Sequence, residues 1–171
     1  MLNNSTTRNF VIISFFSILI TRLIPHPPNF TATIAIAFYL PALFSFKYII
    51  VALLAFVISD IIIGTHQLLI FTWGSIVLIG AISYFFSNFF LRLIGVTSSC
   101  IVFFLLTNFG VWLLGDTYTD NFSGLLLCYT MGLPFLQNSL LSTLFLAFLI
   151  ELILLIKASK VYINRVKASS Y

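Results

Sequence analysis

Six apolar runs, each 16 to 23 residues long, take up most of the chain: residues 9–24, 30–45, 48–64, 67–87, 93–115 and 138–157. At a rise of about 1.5 Å per residue, runs of this length approach or match the roughly 30 Å hydrocarbon layer of a bilayer. They are continuously apolar, without the in-out alternation of membrane β-barrel strands. Of 171 residues, 61% are hydrophobic and only 7% charged, with a mean hydropathy of +1.16. A soluble domain carries about 25% charged residues, so this chain lacks the polar surface to cover itself in water. The expected fold is all-α: a polytopic integral membrane bundle of about six transmembrane helices, occupying residues 1–157 as one domain.

The breaks between runs are turns or charges, among them Pro25 to Pro28, Ser45 to Lys47, Gly64 to His66, Asn88 to Arg92 and Asp116 to Ser123. Pro41 lacks a backbone donor and should kink or shorten the second run. Residues Gly124 to Gln137 are apolar but interrupted by Gly132 and Pro134. They could form a re-entrant or interfacial segment, or a tilted half-helix leading into the last span. Arg8 followed by an apolar core imitates a signal peptide, but no small-residue cleavage site follows, so a retained first helix is expected. Cys100 falls early in the fifth span and Cys128 in the loop after it, too far apart to pair and without neighbours that would make a metal motif. No cofactor is implied.

With the N-terminus in the cytoplasm and six crossings, Arg8, Lys47, Arg92, Lys157, Lys160, Arg165 and Lys167 all fall on the cytoplasmic side, seven of the eight basic residues. That arrangement follows the positive-inside rule and places the C-terminus inside as well. Residues 158–171 are then a basic cytoplasmic tail, able to hold anionic headgroups of the cytoplasmic (inner) membrane. Nucleic-acid binding would need a larger basic surface.

The remaining polar residues converge on the outer half. Arg22, His26 and Asn29 surround the first outer loop, Asp60 lies one turn before Gly64, and His66 follows. Asn108, Trp112 and Asp116 recur every four residues and so share a helix face, while Gln137 and Asn138 open the last span. A carboxylate inside a bilayer is costly and normally has a partner. Arg22 is the only basic residue on the side of Asp60, so an Arg22–Asp60 ion pair is expected. That pair could pin two helices, or line a pocket and meet a solute. Trp112 could anchor at the interface or stack on a ring, Asn108 could join helices or touch a ligand, and either histidine could cap a loop. The aromatic cluster Phe85, Phe86, Phe89 and Phe90 is expected to face lipid or pack. No Gly-rich phosphate loop, HExxH or GxSxG is present, and carboxylates are too few for a paired acid and base. The chain is not expected to be an enzyme.

The stretches from Arg22 to Thr31 (Arg-Leu-Ile-Pro-His-Pro-Pro-Asn-Phe-Thr), Ser59-Asp60 with Gly64-Thr65-His66, Thr107 to Trp112 (Thr-Asn-Phe-Gly-Val-Trp), and Cys128-Tyr129 with Leu133-Pro134-Phe135 and Asn138 resemble a bacterial membrane-protein family of unknown function described only in terms of transport. That family in turn resembles the S components of energy-coupling-factor (ECF) transporters. The resemblance implies six helices, both termini inside, and a vitamin-like or other micronutrient solute bound near the extracytoplasmic face. Arg22, His26, Asn29, Asp60, His66, Asn108, Trp112 and Asn138 would bind it. It also implies a transmembrane coupling subunit with an ATPase, for which Ala32, Ala35 and Ala37 offer a loose small-residue face. The competing expectation is a non-transporting membrane scaffold or accessory subunit with a solidly packed outer half.

Overall fold

The computed structural model describes residues 4–169, with side chains described for residues 5–159. The side chains of Lys160, Arg165 and Lys167 lie outside that range. The described residues form six α-helices and one 3-10 turn, with no strand: α1 (Asn4–Leu23), α2 (Thr33–Leu43), the turn Phe46–Tyr48, α3 (Ile49–Ile63), α4 (Leu69–Ser83), α5 (Phe89–Leu114) and α6 (Phe122–Ser169). Four segments, Ser5–Leu23, Phe46–Ile63, Phe89–Leu114 and Phe122–Ser159, are long and apolar enough to cross a membrane. Their outer faces carry bare Ile61, Ile62, Phe90, Phe145 and Phe148, which suits a hydrocarbon solvent and not water.

α2 is the axis of the bundle. Every residue from Thr33 to Pro41 is buried, and the helix packs against α1, α3, α4, α5 and α6. Pro41 shortens it as the sequence suggests: α2 ends two residues later, at 11 residues, about half the length needed to span. The burial corrects one expectation. Ala32, Ala35 and Ala37 are 2%, 0% and 0% exposed, so this small-residue face meets the chain's own helices and is not open to another subunit.

Of the alternatives for Gly124 to Gln137, the structure shows the helical one that leads into the last span. The stretch is the beginning of one 48-residue helix that runs through Pro134. At about 1.5 Å per residue that helix is more than twice as long as the hydrocarbon layer is thick. Gly132 is required where it sits, because a Cβ there would run into the Asn108 side chain and come within 2.9 Å of Phe104. What looks like a helix breaker in sequence is the point where α6 presses onto α5. Cys128 accordingly lies within α6 and not in a loop. It is buried and free, as is Cys100.

Helix ends are set by local chemistry. The Asn88 side chain accepts from Leu91 N–H at 3.0 Å and caps α5. Gly64, at φ 123°, ends α3 in a conformation that a side chain would oppose. Of the Phe cluster, Phe85 and Phe90 are exposed, whereas Phe86 packs on Phe38 of α2 with ring centroids 6.0 Å apart.

Candidate functional site

The last turn of α1, the end of α3 and the first turns of α4 meet at one end of the bundle. Phe56 and Asp60 are four residues apart and so share a face of α3. Arg22 uses both. Its Nη2 donates to Asp60 Oδ1, and its guanidinium carbon lies 3.9 Å from the centroid of the Phe56 ring, a cation-π stack. The other carboxylate oxygen, Asp60 Oδ2, accepts from the indole N–H of Trp73 at 2.7 Å. Asp60 is 1% exposed, and with both oxygens engaged its burial is compensated. The pair expected from sequence therefore forms, with Trp73 as a third member that the sequence reading missed.

Two cavities adjoin this cluster. One of about 320 Å³ is bounded by α3, α4, α5 and α6, and reaches His66, Thr72, Thr107, Asn108, Cys128 and Phe135. The other, of about 150 Å³, reaches His26, Thr31, Thr33 and Ser139. Both are walled by Arg22, Asn29, Phe56 and Phe103. Asn29 has φ 63° and follows Pro28 in a turn closed by Phe30 N–H donating to the Pro27 carbonyl at 2.9 Å. A proline followed by a positive-φ residue is the pattern of a type II turn, and Asn tolerates that conformation. The Pro-rich stretch thus aims Asn29 at both cavities.

Of the residues singled out in sequence, Arg22, His26, Asn29, His66 and Asn108 line one cavity or both. Asp60 stands behind Arg22 and lines neither. Asn138 does not reach the walls either: its Nδ2 donates to the Pro28 carbonyl at 3.0 Å and ties α6 to the turn that carries Asn29. Trp112 lies outside as well, with its indole N–H donating to the Thr119 carbonyl at 3.0 Å to fasten the α5–α6 connection. Asp116 falls beyond the end of α5, so it does not continue the face of Asn108 and Trp112. His66 Nδ1 accepts from Leu68 N–H at 3.2 Å and shapes the entry to α4, while His26 Nδ1 is 2.6 Å from the Ile24 carbonyl. The amide of Asn108 donates to the Phe104 carbonyl of its own helix at 2.9 Å, which leaves its oxygen beside Gly132.

A second polar cluster lies toward the opposite end. Arg92, 16 residues before Asn108 on α5 and so about 24 Å away along the axis, donates from Nε to Glu151 Oε1 at 2.6 Å and from Nη2 to Oε2 at 2.8 Å. Tyr39 of α2 donates to the same Oε1 at 2.9 Å. Arg92 is therefore more than an orientation charge: it is half of a bidentate ion pair. Its partner could have been found in the sequence, because Glu151 is an acid within an apolar run. Among the described residues no group of three or more His, Cys, Asp or Glu side chains is placed to hold a metal ion.

Residues 3–163 match a family of unknown function (DUF6580). The chain belongs to that family. No curated protein and no solved structure matches it. Membership in DUF6580 fits the apolar helical architecture and carries with it no activity, substrate or partner.

Proposed function

We propose that this DUF6580 protein is a membrane transport protein of S-component-like design, binding a small micronutrient-like solute near the extracytoplasmic face of the cytoplasmic membrane without catalysing a reaction. The observation that carries the reading is the pair of adjoining cavities sharing Arg22, Asn29, Phe56 and Phe103. The larger is of a size used for small ligands, and it combines apolar walls with a few convergent polar groups, as such sites do. Sidedness follows from charge: Lys47 and Arg92 belong to the inner end, and Asp116 and Asp120 to the outer. An ATP-driven step would be supplied by a separate coupling subunit, docked elsewhere than on the buried alanines of α2.

The test is native mass spectrometry of gently purified protein, with Thr107→Phe as the control because Thr107 lines the larger cavity. A co-purified compound that is lost from a normally folded Thr107→Phe protein supports solute binding. The second reading, a scaffold, draws on the Arg22–Asp60–Trp73 cluster, in which both Asp60 oxygens are engaged and three helices are pinned together. Protein that is empty, and whose melting temperature no solute raises, would favour the scaffold.

A further inference from the structure

Among the described residues, Arg22 is the only Lys, Arg, Asp or Glu side chain on the wall of either cavity. A guanidinium carries five N–H donors, and among the described residues Arg22 places one of them, from Nη2, on a protein acceptor. Nε is buried without any partner and is closed to the cavities; Nη1, which makes no hydrogen bond among the described residues, is not buried and is the group a solute can reach. The positive charge is nevertheless balanced, because Asp60 lies in contact behind it. The cavities thus present a head rich in donors whose net charge, taken with Asp60, is zero.

That combination discriminates among solutes. A cationic solute would need a carboxylate, and Asp60 is out of reach: it lines neither cavity, and both of its oxygens are committed to Arg22 and Trp73. An anionic solute would set a second carboxylate against one guanidinium and leave an unbalanced negative charge in a poorly solvated site. Among the described residues no Lys or Arg besides Arg22 lines either cavity to offset it. His66 Nδ1 is already engaged by Leu68 N–H at 3.2 Å. An uncharged acceptor satisfies the accessible N–H groups of Nη1 and leaves the charge balance intact. Beyond Arg22 the larger cavity is walled by Phe56, Phe103, Phe135, Val111 and Met131, surfaces suited to a flat apolar body.

We infer that the outer cavities select an uncharged planar solute with a carbonyl-type oxygen, its acceptor on Arg22 and its ring among Phe103 and Phe135. This rests on the solute-binding reading above and names the class of solute. Three probes share one ring and differ only in the head: benzamide, benzoate and benzylamine in its cationic form. Binding is measured by ligand-observed NMR and by thermal shift on the full chain in lipid nanodiscs.

Benzamide should bind at least about tenfold tighter than either ion, and Thr107→Phe should abolish that binding. In the double variant Arg22→Met with Asp60→Asn, which removes both charges together, benzamide should lose its advantage over unsubstituted benzene. If that variant does not fold, Thr107→Phe alone decides, and benzamide binding that survives it overturns the assignment. Benzoate or benzylamine binding as well as benzamide also overturns it. Failure of all three probes, in protein that still carries a co-purified compound, overturns the solute class and leaves solute binding standing. Failure of all three in empty protein removes both.

Discussion

Glu151→Leu is expected to be the most destabilising single substitution at the Arg92 end of the bundle. The carboxylate receives three hydrogen bonds, two from Arg92 at 2.6 and 2.8 Å and one from Tyr39 at 2.9 Å. Removing it strands a guanidinium and a phenol among α2, α5 and α6. Two scales bracket the cost. Hydrogen bonds between membrane helices average about 0.6 kcal/mol each, so three supply roughly 2 kcal/mol, whereas breaking one side of a buried ion pair costs about 3 to 5 kcal/mol. Arg92 retains a bond from Nη1 to the Ser87 carbonyl at 2.6 Å, and its side chain is 14% exposed, so water relieves part of the penalty. The expected loss is about 3 kcal/mol, the low end of the second scale. Combining it with Arg92→Met removes the stranded charge and should return at least half. About 1 kcal/mol should remain for the unpaired Tyr39 hydroxyl. Reversible unfolding in mixed micelles, read as a double-mutant cycle, measures all three values. If Glu151→Leu costs less than about 1 kcal/mol and the two changes simply add, the cluster is not an energetic unit and the reasoning fails.

At the outer end, Trp73→Phe keeps an aromatic ring, smaller than the indole, but removes the donor to Asp60 Oδ2. It should cost about 1 to 3 kcal/mol in the same unfolding assay, and Asp60→Asn should cost less when combined with it than alone. Gly132→Ala drives a methyl into Asn108 and Phe104, so a loss of about 1 to 3 kcal/mol is expected; Asn108→Ala in the same chain should restore part of the thermal midpoint. Asn138→Leu cuts the tie to the Pro28 carbonyl. Faster amide exchange at Phe30 and Thr31, with the α5 amides unchanged, is the expected result. For sidedness, a cysteine at Ser87 should react with a membrane-impermeant maleimide only after the membrane is opened, and one at Tyr118 in intact cells. The reverse pattern would invert the bundle.

The Arg22–Asp60 pair could be read from sequence because the charge rule leaves one basic residue on the side of an otherwise unpartnered carboxylate. Trp73 could not, since an indole inside an apolar run looks the same whether it faces lipid or a carboxylate. Arg92 was hidden by the same charge rule that exposed Arg22: a basic residue on the inner side is already accounted for as an orientation signal, and no search for a partner follows. Gly132 and Pro134 misled for a different reason. Helix breakers are judged by local propensity, whereas contact with α5 decides the outcome here. The run 30–45 showed that α2 exists and that Pro41 limits it. It did not show that α2 is wrapped by protein, because hydropathy does not distinguish a lipid neighbour from a leucine of the next helix.

The central position of α2 bears on how the chain is made. An 11-residue apolar helix emerging behind α1 is about half a membrane deep, and all the helices that enclose it except α1 are synthesised after it. Until α3 to α6 arrive, its ends cannot reach the aqueous interfaces by length alone, and its buried Tyr39 hydroxyl has no lasting partner. The hydroxyl of Tyr39 must wait for Glu151, 112 residues downstream, almost the last part of the bundle to leave the ribosome. Completion of the axis is therefore a post-insertion event. A chain interrupted before Glu151 would sit in the membrane as four or five helices around an unfinished centre, the kind of intermediate that membrane quality control removes.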